Sequence, residues 1–181
     1  MSKTFFTADL HLSHFRIIEY CNRPFSCVEE MNEVITFRWN QKVGKEDQVF
    51  LLGDISFKNQ FDWKNRLNGE KIVIAGNHDD NSFKLIKAYI RYNGKYISLS
   101  HRPDEADTSK EICLVGHVHG KWKFKRTEGG MMCNVGTDQW NFTPITFEEI
   151  MKEWKRVSKL KRTPIEMYQI VEAPREEGSL K

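Results

Sequence analysis

Six short apolar runs recur along the chain, and each breaks off abruptly into polar residues. Lys3–Ala8 runs into Asp9-Leu10-His11, Gln48–Leu52 into Gly53-Asp54, and Lys71–Ala75 into Gly76-Asn77-His78-Asp79. Lys95–Ser100 runs into His101, Glu111–Val115 into Gly116-His117-Val118-His119, and Met131–Cys133 into Asn134-Val135-Gly136. Their brevity, their β-branched and aromatic content and the glycines at several ends read as strands. Between them the period changes. Val28, Met31, Ile35 and Trp39 fall on one face of a helix over about residues 27–42. Ser26-Cys27-Val28-Glu29 has the form of a capping box opening that helix. Shorter helical patterns cover about 60–68, 82–90 and 146–157, with Pro103 marking a loop after His101 and Thr143-Pro144 another before residue 146.

Strand–helix alternation predicts a layered α/β fold whose later strands pair as hairpins. In such folds the loops at strand carboxyl ends converge on one edge, where ligands sit. Asp, Asn and His placed just past strand ends would therefore share a rim. A length of 181 residues suits one domain, expected over 1–172, with 173–181 as a frayed tail. Lys152 to Arg162 reads as a solvated helix face and its exit, and Ile165 to Val171 as a last edge strand.

Composition narrows the class. Hydrophobic residues at 39% and charged residues at 29% are the balance of a soluble globular protein, and no apolar run is long enough to span a bilayer. The first residues turn polar too soon for a secretory signal. Cys21, Cys27, Cys113 and Cys133 form no CxxC pair, which argues against a zinc ribbon or a disulfide framework and fits a reducing, cytoplasmic compartment. Each reads as a small, partly buried apolar residue. A net charge of +3 is compatible with an anionic substrate without requiring a nucleic acid.

Five of the six histidines (His11, His78, His101, His117, His119) lie in the strand-end clusters, beside Asp9, Asp54 and Asn77. These donors are nitrogen and oxygen only, which favours Mn, Fe, Co or Zn over a soft-metal site. A single catalytic zinc needs about three protein ligands, so this larger set suits two metals, with Asp54 as the natural bridging carboxylate. Two ions roughly 3.5–4 Å apart can bind a phosphoryl oxygen, neutralise its charge and deprotonate a shared water for in-line attack on phosphorus.

Taken in order, Asp9-Leu10-His11, Gly53-Asp54, Gly76-Asn77-His78-Asp79, His101 and Gly116-His117-Val118-His119 resemble the complete motif set of the calcineurin-like metallophosphoesterases, over about residues 4–140. The resemblance implies a four-layer α/β/β/α sandwich, two mixed sheets flanked by helices. It implies one ion held by Asp9, His11, Asp54 and His119, and another by Asp54, Asn77, His101 and His117. Manganese is the first expectation, with Fe, Zn, Co or Ni as alternatives. His78 would bind the phosphoryl oxygen or protonate the leaving alkoxide, with a carboxylate such as Asp79 orienting it. His14, Asn22-Arg23-Pro24-Phe25 and Asn134-Val135-Gly136 also resemble a group of small bacterial and phage members.

Several residues admit two readings. His14 could contact a substrate phosphate or serve as a cap. Arg23 could clamp a phosphate oxygen or sit in an ion pair. Lys121-Trp122-Lys123-Phe124-Lys125-Arg126 could track a nucleic-acid backbone or form a half-buried strand with Trp122 and Phe124 inward. Asp138 and Trp140 could reach the rim or simply pack in their loop. The expected function is a phosphodiesterase or phosphatase acting on a nucleotide or nucleic-acid end by attack of a metal-bridging hydroxide. The alternatives are a metal-binding scaffold of the same fold and a nuclease gripping single strands.

Overall fold

The computed structural model describes residues 2–57, 62–79 and 82–160. In chain order the strands are β1 (Thr4–Thr7), β2 (Gln48–Leu51), β3 (Glu70–Val73), β4 (Lys87–Tyr92), β5 (Lys95–Ser100), β6 (Ile112–Val115), β7 (Phe124–Arg126), β8 (Met131–Asn134) and β9 (Ile145–Thr146). The helices are α1 (Arg16–Tyr20), α2 (Val28–Lys42), α3 (Trp63–Arg66) and α4 (Phe147–Leu160). One sheet runs β3-β2-β1-β9, parallel except for β9; the other runs β4-β5-β6-β8-β7, with β5, β6 and β8 parallel and both edges antiparallel.

Alternation along β1 and β2 decides the layers. Phe5, Val49 and Leu51 face α2, whose Met31, Ile35 and Trp39 are buried on the face the sequence period predicts. Phe6, Phe50 and Leu52 point the other way, where Ile97, Leu99, Ile112, Leu114, Met131 and Cys133 of the second sheet close the core between the sheets. Strands buried on both faces read as continuous apolar runs, as these do. Phe147 and Ile150 of α4 join that inter-sheet core. On the outer face of the second sheet, Cys113, Val115 and Met132 are covered by Ala106 and Trp122 from loops. The result is an α/β fold of two mixed sheets packed face to face, with helices, as expected. No helix among the described residues is long and apolar enough to cross a membrane.

Several elements differ from the sequence reading. The helix expected over 82–90 is replaced by strand β4, which alternates Ala88, Ile90 and Tyr92 inward with Arg91 outward and pairs with β5. The helix expected over 60–68 is the single turn α3, and residues 60–61 lie outside the described set. The capping box is shifted by one residue: Cys27 is the N-cap, and the Glu30 carboxylate, not Glu29, accepts bonds from Ser26 N and Oγ. Cys27 is correspondingly exposed, whereas Cys113 and Cys133 are buried. Trp122 and Phe124 do not share a face: Phe124 packs on the inter-sheet core and Trp122 on the outer cluster. The edge strand expected at 165–171 and the tail at 173–181 lie outside the described residues.

Candidate metal centre

Parallel β1, β2, β3, β5 and β6 release their carboxyl ends on one edge, so the polar residues that follow them meet there. The loops after β1 and β2 are laced together by bonds from Asp9 N to Gly53 O (3.0 Å) and from His11 N to Asp54 O (2.9 Å). Asp9, His11, Asp54, His117 and His119 all have left-handed backbone, with φ of 58°, 50°, 55°, 69° and 44°. Each such non-glycine residue stores strain of order 1–3 kcal/mol, a cost met chiefly at functional sites. Glycines make room: a Cβ on Gly136 would stand 2.6 Å from Asp9 Oδ2, and one on Gly76 would overlap the Asp54 carboxylate.

Asp54 Oδ2 lies 3.5 Å from His11 Nε2 and 3.5 Å from His101 Nε2. His101 Nδ1 is 2.7 Å from Leu52 O, so that nitrogen carries the proton and donates. In the neutral ring Nε2 then presents a lone pair, yet it faces Asn77 Oδ1 at 3.0 Å as well as Asp54. His119 Nδ1 stands 2.9 Å from Asp138 Oδ2 and donates to it, which leaves Nε2 as the ring atom free to meet a cation. His11 Nε2 is buried without a hydrogen-bond partner. The ligand atoms of Asp9, His11 and His119 lie within 4.8 Å of one another, and so do those of Asp54, His101 and His117. Lone pairs converging in a buried place repel unless cations stand among them, and an all-nitrogen-and-oxygen set suits divalent metals.

Electrostatics agree. Burial pushes the Asp9 carboxyl up to about 6, against the pull of His119 and His101. Burial pulls His11 down to about 2, helped by His119 and Arg23, and lowers His117 as well. Burial lowers His119 too, but its bond to Asp138 and the nearby Asp9 outweigh this and lift it to about 10. Without a metal ion this imidazole is the favoured cation of the site, while charge is disfavoured on Asp9, His11 and His117.

Two relatives span most of the chain. An uncharacterized protein of Methanocaldococcus jannaschii is 36% identical over 84% of this chain and 91% of its own length. The gene 66 protein of Mycobacterium phage L5 is 31% identical over 77% of this chain and 88% of its own. The solved structure of an Aquifex aeolicus protein of unknown function matches with a TM-score of 0.66, covering 84% of this chain and 100% of that one at 24% identity, a likeness of fold. These relatives share the length of a chain whose five motifs assemble, in order, on one rim of a two-sheet sandwich. The chain belongs to one family with these two relatives, and its motifs resemble those of the calcineurin-like metallophosphoesterases. No family model matches it.

Around the centre, the remaining candidates divide. The exposed ring of His78 lies 5.8 Å from that of His11, and its backbone N donates to Asp54 Oδ1 at 3.0 Å. Asp79 does not orient that ring as expected: its carboxylate accepts from the backbone N of Asp54 (2.7 Å), Ile55 (2.8 Å) and Gly76 (2.8 Å), fastening the bridging loop to the Asn77 loop. Arg23 is not a phosphate clamp. It is buried, and its donors go to Asp138 (2.8 and 3.0 Å), Leu10 O (2.9 Å), Asp9 O (2.7 Å) and Met31 Sδ (3.4 Å), so no fork faces solvent. His14 caps α1 by accepting from Ile17 N at 3.0 Å through Nδ1, which leaves the ring proton on Nε2.

The residues that sequence reasoning underrated are Asp138 and Asn134. Asp138 joins Arg23 to His119, and Asn134 Nδ2 donates to the carbonyls of His119 (2.8 Å) and Trp122 (3.0 Å). Asn134 carried a signal in the Asn-Val-Gly triplet at the end of an apolar run. Asp138 carried none beyond its closeness to that triplet.

Proposed function

We propose that this protein is a metallophosphoesterase that hydrolyses a phosphodiester or phosphomonoester, on a nucleotide or nucleic-acid end, with two resident divalent cations. The observation carrying the reading is the position of Asp54 Oδ2, equally close to His11 Nε2 and His101 Nε2 and so shared by two acceptor groups. One cation would be held by Asp9, His11, Asp54 and His119, the other by Asp54, Asn77, His101 and His117. Manganese suits the set, as do Fe, Zn, Co and Ni. When bound, the pair supplies Lewis acidity toward a phosphoryl oxygen and acidifies water.

The protein's own part is preorganisation. Leu52 O and Asp138 accept from the Nδ1–H of His101 and of His119, so Nε2 is the ring atom each turns to a cation, with His119 giving up its second proton when metal binds. Asp79 holds Asp54 through the backbone. His78, exposed beside the buried carboxylates, is the group placed to give a proton to the leaving oxygen. His14, with its proton on Nε2, is a donor available to a phosphoryl oxygen.

The test is hydrolysis of bis-p-nitrophenyl phosphate and its monoester with manganese. Activity should vanish with chelator, return with metal and be nearly abolished by Asp54→Asn. Full activity in that variant would refute the bridging role.

A further inference from the structure

We propose that the β7–α4 edge is a track for single-stranded nucleic acid leading to the metal centre. The proposal rests on the phosphoesterase reading for its chemistry, but the binding itself does not require turnover. Residues 119–131 carry Lys121, Lys123, Lys125 and Arg126 against one acid, Glu128. None of these cations, nor Lys155 and Lys159 on α4, has an ion-pair partner among the described residues. Such cations also occur elsewhere, Arg16, Lys45 and Lys87 among them; what marks this edge is four cations within the six positions 121–126. Glu153, on the same helix, is committed to Arg156 at 2.8 and 2.7 Å.

Aromatic rings lie beneath the charges. Lys123 Nζ stands 4.2 Å from the Trp140 ring centroid, Lys125 Nζ 4.5 Å from that of Trp122, and the Arg126 guanidinium 5.5 Å from that of Trp154. All three tryptophans are half-buried, which leaves ring area for a base to stack on. Arg126, Trp154, Lys155, Ser158 and Lys159 line a shallow groove of about 220 Å³. The edge strand is joined to the centre through the backbone, where Asn134 Nδ2 donates to the carbonyls of His119 and Trp122. Lys123 with Trp140 and Arg126 with Trp154 lie on the α4 side of this edge strand, and Lys125 with Trp122 on the outer face. The cations thus flank the edge on both sides, a match for a phosphate backbone running along it with bases free to stack. A competing reading is that lysines merely protect an edge strand from pairing with another chain; it calls for no strand binding.

The test is fluorescence anisotropy of a labelled 20-nucleotide single strand with chelator present, so that turnover plays no part. The native protein should bind the single strand more tightly than a duplex of equal length. Combined Lys123→Ala, Lys125→Ala and Arg126→Ala should weaken binding roughly 100-fold near 0.1 M salt and flatten the log–log salt slope by about 2. Lys155→Ala with Lys159→Ala, on the helix, gives an independent reading, a loss of roughly 20-fold by the same relation. Both variants should hydrolyse bis-p-nitrophenyl phosphate as the native protein does. Absence of native binding, equal or tighter binding to duplex, or native affinity in both variants would overturn the track. Loss of binding in the variants together with no hydrolysis under any metal would retain the track and sink the phosphoesterase reading instead.

Discussion

Arg23 donates to Asp138 twice, from Nε to Oδ1 at 2.8 Å and from Nη2 to Oδ2 at 3.0 Å, although 115 positions separate the two residues. Asp138 passes the constraint on to His119 Nδ1, while the same guanidinium holds the carbonyls of Asp9 and Leu10. One buried ion pair therefore sets both the loop that carries Asp9 and the ring of His119. Removing Arg23 leaves the buried Asp138 carboxylate with the His119 N–H alone and the carbonyls of Asp9 and Leu10 without their donors. Arg23→Met should cost about 3–5 kcal/mol in urea unfolding. A loss below about 1 kcal/mol would show that the pair is not the clamp described.

Asp138→Asn tests the same link from the metal side. The amide keeps the shape of the carboxylate but weakens its hold on the His119 N–H, so metal affinity should fall about 10–100-fold, as for partners of metal-binding histidines in general. Calorimetric titration of the metal-free protein with manganese reads this directly. Native affinity in the variant would mean that His119 is oriented without Asp138.

Asp54 differs from every other acid at the centre in touching both acceptor groups, each through the same oxygen at 3.5 Å. Asp54→Ala should therefore lower metal stoichiometry at both positions, whereas His11→Ala should spare the group formed with His101 and His117. Metal content after gel filtration, measured by plasma emission, separates the cases. Equal retention of two ions by both variants would rule out bridging.

Much of this was legible in the sequence because the fold places ligands by a local rule, an apolar strand ending in polar residues. Every one of the six runs is a strand or overlaps one, and the seven proposed ligands gather at one rim. What escaped was decided by partners distant in the chain or by a misread turn. Residues 82–90 read in sequence as a short helical pattern. The contrary signal was Asn93-Gly94, a two-residue hairpin turn with both φ positive, 48° and 77°, which fixes β4 against β5. Arg23 was ambiguous because nothing near it in sequence reveals that Asp138 and the Asp9 and Leu10 carbonyls consume its donors. The resemblance implies a carboxylate such as Asp79 orienting His78, whereas the Asp79 oxygens accept from the backbone N–H groups of Asp54, Ile55 and Gly76.

The cysteines should differ sharply in reactivity. Burial pushes the Cys113 thiol up to about 11 and raises that of Cys133 further, so at pH 8 neither holds appreciable thiolate. Cys27 is exposed at the start of α2. Brief iodoacetamide treatment of the native protein, followed by peptide mass spectrometry, should mark Cys27 first, with Cys113 and Cys133 modified only after unfolding. Rapid native modification of Cys133 would contradict its place in the inter-sheet core.

Glycine substitutions separate the shape of the centre from its chemistry, because they leave every ligand in place. A Cβ on Gly76 would overlap the Asp54 carboxylate and stand 2.5 Å from Asp54 N, while one on Gly120 meets nothing within 4 Å. Gly76 lies between β3 and Asn77, and Gly120 directly follows His119, so both are one residue from a proposed ligand. Gly76→Ala should cost about 1–3 kcal/mol from forced overlap. It should also lose the metal-induced rise in stability, which for native protein at a hundredfold excess over Kd is about 2.7 kcal/mol. Gly120→Ala should fall within about 0.5 kcal/mol of native and keep that rise. Thermal unfolding of both variants with and without manganese makes the comparison. If Gly76→Ala were stabilised by metal as fully as Gly120→Ala, the close approach of Gly76 to Asp54 would have no part in holding the bridging carboxylate.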